Sequence, residues 1–308
     1  MNKKYELLKD DYINYEGRTL YRIKALKDFG DLKAGDLGGY IEKEDNLSHN
    51  GECWVYNEAK VYENANVYNN ALVRDNARIY GNAEIYDYAT VSGAAKIYDN
   101  AAVCDDAMIN DNAQVYNNAY IYDNAEIYDN AKVYGNARVY NNAWIHDNAV
   151  VRGNAKIFDR AQVYGDAEIC DNAIVFDNAL VRGNAKIYDN ASICDNAVVC
   201  DNAKITDYAR IIWTARVYNN AEINNDTIIG IVSMPYKDIF QYQCKNRILT
   251  AILTENDEIL YTIGCQPNIT EEEFIDRIHN DNGGLKENPH RNEYLKLIKT
   301  IKTYFKGE

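Results

Sequence analysis

Residues 55–80 read VYNEAKVYENANVYNNALVRDNARIY, and the period of this stretch decides the fold. Every sixth residue from Val55 to Ile223 is Val or Ile, and every sixth from Ala59 to Ala221 is Ala, without one insertion. The unit is V/I-Tyr-Asp/Asn/Gly-Asn-Ala-x. A short fixed period sustained this long is the signature of a repeat solenoid rather than of a domain folded around one site. Within the unit a branched apolar residue and a small one, two places apart, point inward while their neighbours point outward, as in a short β-strand. The positions after the tyrosine, mostly Asp-Asn, Asn-Asn or Gly-Asn, are residue types that tolerate the left-handed backbone of a sharp corner. Each hexad is one side and one corner of a coil, so function is sought on the outer faces and in the two end pieces.

The unit resembles the hexapeptide repeat of left-handed parallel β-helices, in which three hexads close a triangular coil. The resemblance covers residues 53–226. That family includes acyltransferases and carbonic-anhydrase-like enzymes as well as proteins of no known activity. This chain departs from the enzyme pattern, which has Gly after the aliphatic residue, by placing Tyr there, as at Tyr62, Tyr80 and Tyr98. The opening YRIKALKDFGDLKAGDLGGYIEKEDNLSHNGECWVY (21–56) resembles the start of hexapeptide-repeat proteins found in bacterial genomes and, especially, in phages and prophages. The closing pattern Gly264-Cys265, ITEEEFIDRI, NEYLKLIKTIKTYF resembles a small domain that follows such repeats in phage proteins.

The expected architecture is mainly β: an N-terminal β cap (1–52), a left-handed parallel β-helix of about ten coils (53–226), and a C-terminal α+β domain (227–308). In the cap, Tyr21, Ile23 and Ala25 alternate as a strand, and Gly38-Gly39 before Tyr40 and Ile41 reads as a tight turn into another. A cap is physically required, because an open β-helix end exposes core side chains and unpaired strand edges. A phosphate-binding reading of Gly35–Gly39 lacks the helix and lysine it would need. In the C-terminal piece TIIGIV, RILTAIL and ILYTIG read as strands. Thr270 with Glu273 forms a capping box for a helix to about Ile278, and Asn288-Pro289 starts a second helix with Tyr294, Leu297, Ile298, Ile301 and Phe305 on one face.

Charge is concentrated in the repeats. They carry 14 basic and 24 acidic residues, against 9 and 11 in the cap and 10 and 12 in the C-terminal piece. An acidic surface repels nucleic acid and membrane as a whole and favours basic partners. MNKKYELLKDDY is not an export signal and no run approaches ~20 apolar residues, so a cytoplasmic location, without membrane association, is expected. The seven cysteines include no CxxC pair and are expected as free thiols. No cofactor and no metal site is expected.

Three hexads per coil place residues 18 apart above one another at about 4.8 Å, which allows the outward rows to be written from sequence. One face carries Lys60, Arg78, Lys96 and Lys132, continued by Lys186 and Lys204, beside Tyr62, Tyr80, Tyr98, Tyr116, Tyr134 and Tyr188. Basic groups interleaved with rings are the pattern of single-stranded nucleic acid grooves, with a salt-sensitive affinity. The alternative is that lysine stems lie across the rings. A second face holds Tyr120, Tyr122, Tyr140, Phe158, Ile174 and Phe176, a candidate protein interface, for instance in a homodimer, or else a stabilising ladder. Beside it runs a corner row of Asp87, Asp105, Asp123, Asp159, Asp177 and Asp195, which could imitate a phosphate backbone toward a basic nucleic-acid-binding protein or hold calcium. Turn chemistry alone accounts for Asp at corners, and a line of carboxylates without convergent geometry makes a poor cation cage. The third face, with Trp54, Leu72, Met108, Trp144, Leu180 and Val198, is mixed.

For enzyme chemistry, the resemblance to acyltransferases implies a His base at a groove between subunits, and within the repeats the candidate is His146, beside Trp144. No nucleophile elbow, zinc-type His cluster or phosphate loop accompanies it. The reading is a non-enzymatic macromolecular-binding protein. In its most specific form it is a phage-type inhibitor or decoy of a bacterial defence complex, with a host protein or ribonucleoprotein as partner. Alternatives are a hexapeptide acyltransferase and a structural, self-assembling virion component.

Overall fold

The computed structural model describes residues 3–225, 227–231, 236–244, 247–254, 256–263, 266–280 and 291–306. The chain forms two compact units, residues 1–172 and 173–308.

The first unit is a parallel β-solenoid closed at its N-terminal end. Each hexad contributes a two-residue strand, from Trp54–Val55 to Glu168–Ile169, which pairs in parallel with the strand 18 residues on, as Val91 with Ile109 and Ile97 with Val115. Three columns of strands therefore make three sheets, the three-sided winding expected from the period. The inward Val/Ile and Ala side chains are fully buried throughout. Each corner turns on one residue with positive φ, 55–56° at Asp105, Asp123 and Asn141 and 67–75° at Gly81, Gly93, Gly135, Gly153 and Gly165. Asp and Asn accept this left-handed backbone at the least cost among residues with a Cβ.

The cap is built from β1 (Tyr5–Tyr15), β2 (Arg18–Ala25) and β3 (Leu37–Ile41). β1 and β2 form an antiparallel hairpin, β2 pairs antiparallel with β3, and β3 pairs in parallel with Lys60–Val61, so the cap continues one solenoid sheet. Gly38 and Gly39 do not form the expected turn. They lie inside β3, where a Cβ on Gly39 would sit 2.6 Å from the Ala59 carbonyl and one on Gly38 would sit 2.6 Å from the Val55 carbonyl. The glycines let β3 press onto the first coil, a close approach rather than a reversal. In β2, Leu20, Ile23 and Ala25 are the buried residues, while Tyr21 is only half-buried.

The plug of the cap is Tyr5, whose hydroxyl donates to the carbonyls of Glu44 and Leu47. It is stacked on His49 and packed edge-on to Trp54. Trp54, assigned by register to an outer face, is fully buried under Tyr5 and Phe29. Lys4 is also fully buried. Its ammonium donates to the carbonyls of Gly51 and Cys53 and lies 3.2 Å from the Cys53 sulfur. Desolvation holds its pKa below the usual lysine range.

The second unit continues the same hexad pattern, with Leu180–Val181, Val198–Val199 and Arg216–Val217 in one parallel column and Ile174, Ser192 and Arg210 beginning the strands of another. The run at Ile228–Ile231, expected in the terminal domain, instead pairs in parallel with Arg210–Trp213 and so extends a solenoid column. Beyond it, Tyr236–Cys244, Arg247–Thr254, Ile259–Ile263 and Gln266–Ile269 form an antiparallel sheet in sequence order.

Two helices cover this sheet, α1 (Glu271–Asn280) and α2 (Arg291–Lys306). The capping box is present: the Glu273 amide donates to the Thr270 hydroxyl, and the Thr270 amide to the Glu273 carboxylate. Tyr294, Leu297, Ile298 and Ile301 pack with Phe274, Ile278, Leu249 and Tyr261 in one core, with Phe305 at its edge. Thr250, Ile252, Thr254, Leu260 and Thr262, whose side chains leave the other face of the sheet, are buried too, so along the described residues of Arg247–Thr254 and Ile259–Ile263 both faces are covered. Gly264-Cys265 and Asn288-Pro289 lie outside the described residues.

Candidate functional site

The outward side chains of the first unit make contacts mainly with the side chains 18 residues away. In the basic and aromatic face, Tyr62, Tyr80, Tyr98, Tyr116 and Tyr134 stack face to face at 4.6–5.1 Å with their planes within 7°. The first of them is closed off by the edge of Tyr15. The π-faces within the run are thus taken by neighbouring tyrosines; Tyr62 is buried, and Tyr80, Tyr98, Tyr116 and Tyr134 are half-buried. Burial within the ladder pushes the phenols of Tyr98 and Tyr116 up to about 12. Lys60, Arg78, Lys96 and Lys132 lie in one sheet column, interrupted by Gln114. Lys60 and Arg78 each hold their charge over the Tyr15 ring of the cap, at 5.5 and 5.4 Å. A base can stack only where a ring face is open, and from Tyr80 to Tyr116 both faces of each ring are taken.

The second face behaves alike. Tyr122, Tyr140 and Phe158 stack at 4.8 Å, and Tyr120 lies against Tyr122. Cys104 occupies the ladder position between Tyr86 and Tyr122. Its thiol contacts the Tyr120 hydroxyl, which also meets the Tyr86 hydroxyl at 3.2 Å. All four aromatic residues of this group are half-buried, so the face presents ring edges rather than a flat apolar plate. Ile174 and Phe176, also half-buried, belong to the second unit. The large apolar residues most exposed within the hexads of the first unit are elsewhere: Tyr88, Met108 and Trp144, with Glu126 between the latter two in the sheet.

The acidic corner row has an internal role. Asp105 accepts the backbone N–H of Asp123, and Asp123 that of Asn141. In the second unit Asp177 accepts that of Asp195, and Asp195 that of Trp213. Asp87 and Asp159 accept the side-chain amides of Asn69 and Asn141. One oxygen of each carboxylate ties its coil to a neighbour while the negative charge remains at the surface. Beside one corner runs a ladder that the sequence reading passed over. The amides of Asn64, Asn82, Asn100, Asn118, Asn136 and Asn154 each donate to the Asn side-chain oxygen 18 residues later, at 2.9–3.2 Å. The signal is in the repeat, since Asn stands two places after the ladder tyrosine at the first five of these positions and two places after Arg152 at the sixth.

His146 replaces the ladder tyrosine on the third face. Its ring is held between Tyr128 and Tyr164 at 4.7 and 4.8 Å, within 8° of parallel. Its Nδ1 lies 3.6 Å from an Asp147 oxygen. Asp129, His146 and Asp147 bring their ligand atoms within 4.8 Å of one another. The sequence reading weighed His146 beside Trp144. The registered neighbour is Tyr128, and Asp129 follows from the same offset. The five cysteines with described side chains, Cys53, Cys104, Cys170, Cys194 and Cys200, are free thiols. Burial raises the pKa of each, which leaves them poor nucleophiles.

The clefts of the first unit are open and polar. One of about 510 Å³ is lined by Gly81, Asn82, Asp99, Asn100, Asn117, Asn118, Gly135 and Asn136, and another of about 540 Å³ lies against His49, Tyr68 and Glu84. Neither has the apolar lining with a few convergent polar groups that marks a small-molecule site.

Residues 131–147, within this same stretch of coils, match the family described as YdcK Beta solenoid repeat. The chain is a hexapeptide-repeat β-solenoid. A relative is the uncharacterized acetyltransferase YdcK of Escherichia coli (strain K12), 40% identical over 42 residues, which are 14% of this chain and 13% of that protein. The match covers far less than two thirds of the relative's length. It therefore supports the kind of repeat, and the relative's named activity does not follow from it. No helix among the described residues is long and apolar enough to cross a membrane.

Proposed function

We propose that this solenoid is a non-enzymatic scaffold that binds a basic macromolecular partner through its acidic corners. The observation that supports this most is the use of the outward side chains. Rings cover rings and amides bond amides along the coils, so these side chains are engaged with one another, while a row of carboxylates lines the corners. The repeats account for ten of the fourteen net negative charges. An array of like charges on strands about 4.8 Å apart favours association by steering and complementarity more than by apolar burial. The opening and closing segments, which resemble those of phage hexapeptide-repeat proteins, suggest as the finer reading an inhibitor or decoy of a host defence complex that handles nucleic acid.

The test uses a variant in which Asp87, Asp105, Asp123 and Asp159 are all replaced by Asn. Asn keeps both the left-handed corner and a side-chain oxygen, so folding is retained. Purified from a bacterial host, the wild type is expected to bring down a stoichiometric basic partner that is released by salt, and the Asn variant to lose it. Recovery of the same partner by both proteins, or of none by the wild type, would refute the proposal.

A second reading, acyl transfer, is favoured by His146, which meets a carboxylate through Nδ1 as a general base would, and by the relative's name. Saturable acetyl-coenzyme A binding that is lost in His146→Ala would support it. The absence of such binding would remove it.

A further inference from the structure

Asp129, His146 and Asp147 have the makings of a ligand set that the scaffold reading does not use. We propose that they bind a borderline divalent cation of the Zn(II) or Ni(II) class on the outer surface of the first unit. The donors are one imidazole nitrogen and two carboxylates, the set that suits such ions, whereas Ca(II) takes six or more oxygens.

Three features of the fold preorganise them. The imidazole is clamped between the Tyr128 and Tyr164 rings, so its nitrogens stay in the plane of the ladder. Asp129 and Asp147 are the left-handed corner residues of successive coils, both at φ 57°, which fixes their Cβ directions. Each carboxylate has one oxygen anchored by a backbone N–H, Asp129 by Asp147 and Asp147 by Gly165, at 3.2 and 3.0 Å. Such outer hydrogen bonds orient metal ligands. The ligand atoms lie within 4.8 Å of one another, and a cation between them, at metal–ligand distances of about 2.0–2.2 Å, would draw them closer. Three protein ligands at a half-exposed position leave room for water or an external donor.

A similar arrangement, Asp87, Cys104 and Asp105, occurs on another face. It lacks the property that matters, because Cys104 is buried, its thiol is shifted upward by that burial and it is engaged with Tyr120. A protonated thiol is not a metal ligand. The histidine therefore singles out the site, and nothing in this inference depends on the basic partner.

The test is a calorimetric titration of the chelator-treated full chain with Zn(II), and separately with Ni(II). His146→Tyr is the informative variant, since it installs the ordinary ladder residue and preserves the stack. Wild type is expected to bind stoichiometrically, and His146→Tyr and Asp129→Asn to lose at least about tenfold in affinity, while Cys104→Ser binds as wild type does. Zn(II) is further expected to raise the melting temperature of the wild type but not of His146→Tyr. Equal affinity in wild type and His146→Tyr, or no binding by wild type, would overturn the proposal.

Discussion

Gly39→Val is expected to detach the cap, with a loss of about 3–5 kcal/mol in unfolding free energy. A Cβ at this position would stand 2.6 Å from the Ala59 carbonyl oxygen and 2.8 Å from a Val55 methyl. That carbonyl accepts the N–H of Tyr40, one of the bonds that seat β3 on the first coil. The substitution therefore both overpacks the junction and breaks its hydrogen bonding, and backbone cannot yield as a flexible side chain could. Trp54, buried beneath the cap, provides the signal: its fluorescence should shift to the red at denaturant concentrations where the wild type is still folded. Leu37→Ala, at an exposed position on the same strand, should stay within about 0.5 kcal/mol of wild type. Equal stability of the two variants would show that β3 does not close the coil as described.

Ile127→Ala is the second large effect. Ile127 is fully buried between Ile109 and Ile145 in one inward column. Removing its side chain should cost about 2–5 kcal/mol, through lost burial and a cavity that the two neighbouring coils cannot fill. Each coil of a solenoid touches only its neighbours, so the lesion weakens two interfaces at once and concentrates there. Hydrogen exchange should accelerate most in the backbone amides of the coils on either side. Glu126→Ala, the outward neighbour on the same strand, makes no such cavity. An Ile127→Ala protein as stable as Glu126→Ala would contradict the inward assignment.

The repeat made the solenoid legible because one physical cause, the alternation of inward and outward side chains, is written in every hexad. Val55, Ala59 and Val61 carry it, and counting in steps of 18 then gives each column. The period does not report contacts from outside the repeat. Trp54 obeys the register yet lies beneath Tyr5 and Phe29, and Lys4 carries no sign in its local sequence that it is buried against Cys53. Gly38 and Gly39 show the same limit, since glycine serves a turn and a close approach equally well and only the partner strand decides which. Ile228–Ile231 was read as part of the terminal domain because the hexad pattern had ended, although strand pairing continued past it.

For the candidate site, the sequence placed residues in rows but could not say what the rows did. The period puts Tyr98 and Tyr116 one above the other in a row, and the structure turns their ring faces on each other. Asp123 was a surface charge in the reading, and in the fold it is also the acceptor that holds the corner of the next coil.

Every row described above follows from residues 18 apart lying directly over one another, and paired cysteines measure that register most directly. Asn118 and Asn136 hydrogen-bond side chain to side chain across adjacent coils, and stacked strands about 4.8 Å apart are within reach of a disulfide. Under mild oxidation, cysteines replacing Asn118 and Asn136 should cross-link rapidly, whereas cysteines replacing Asn118 and Asn130, or Asn118 and Asn142, should remain reduced. Preferential cross-linking of the Asn118 and Asn142 pair would mean a four-sided coil and would undo every row described above.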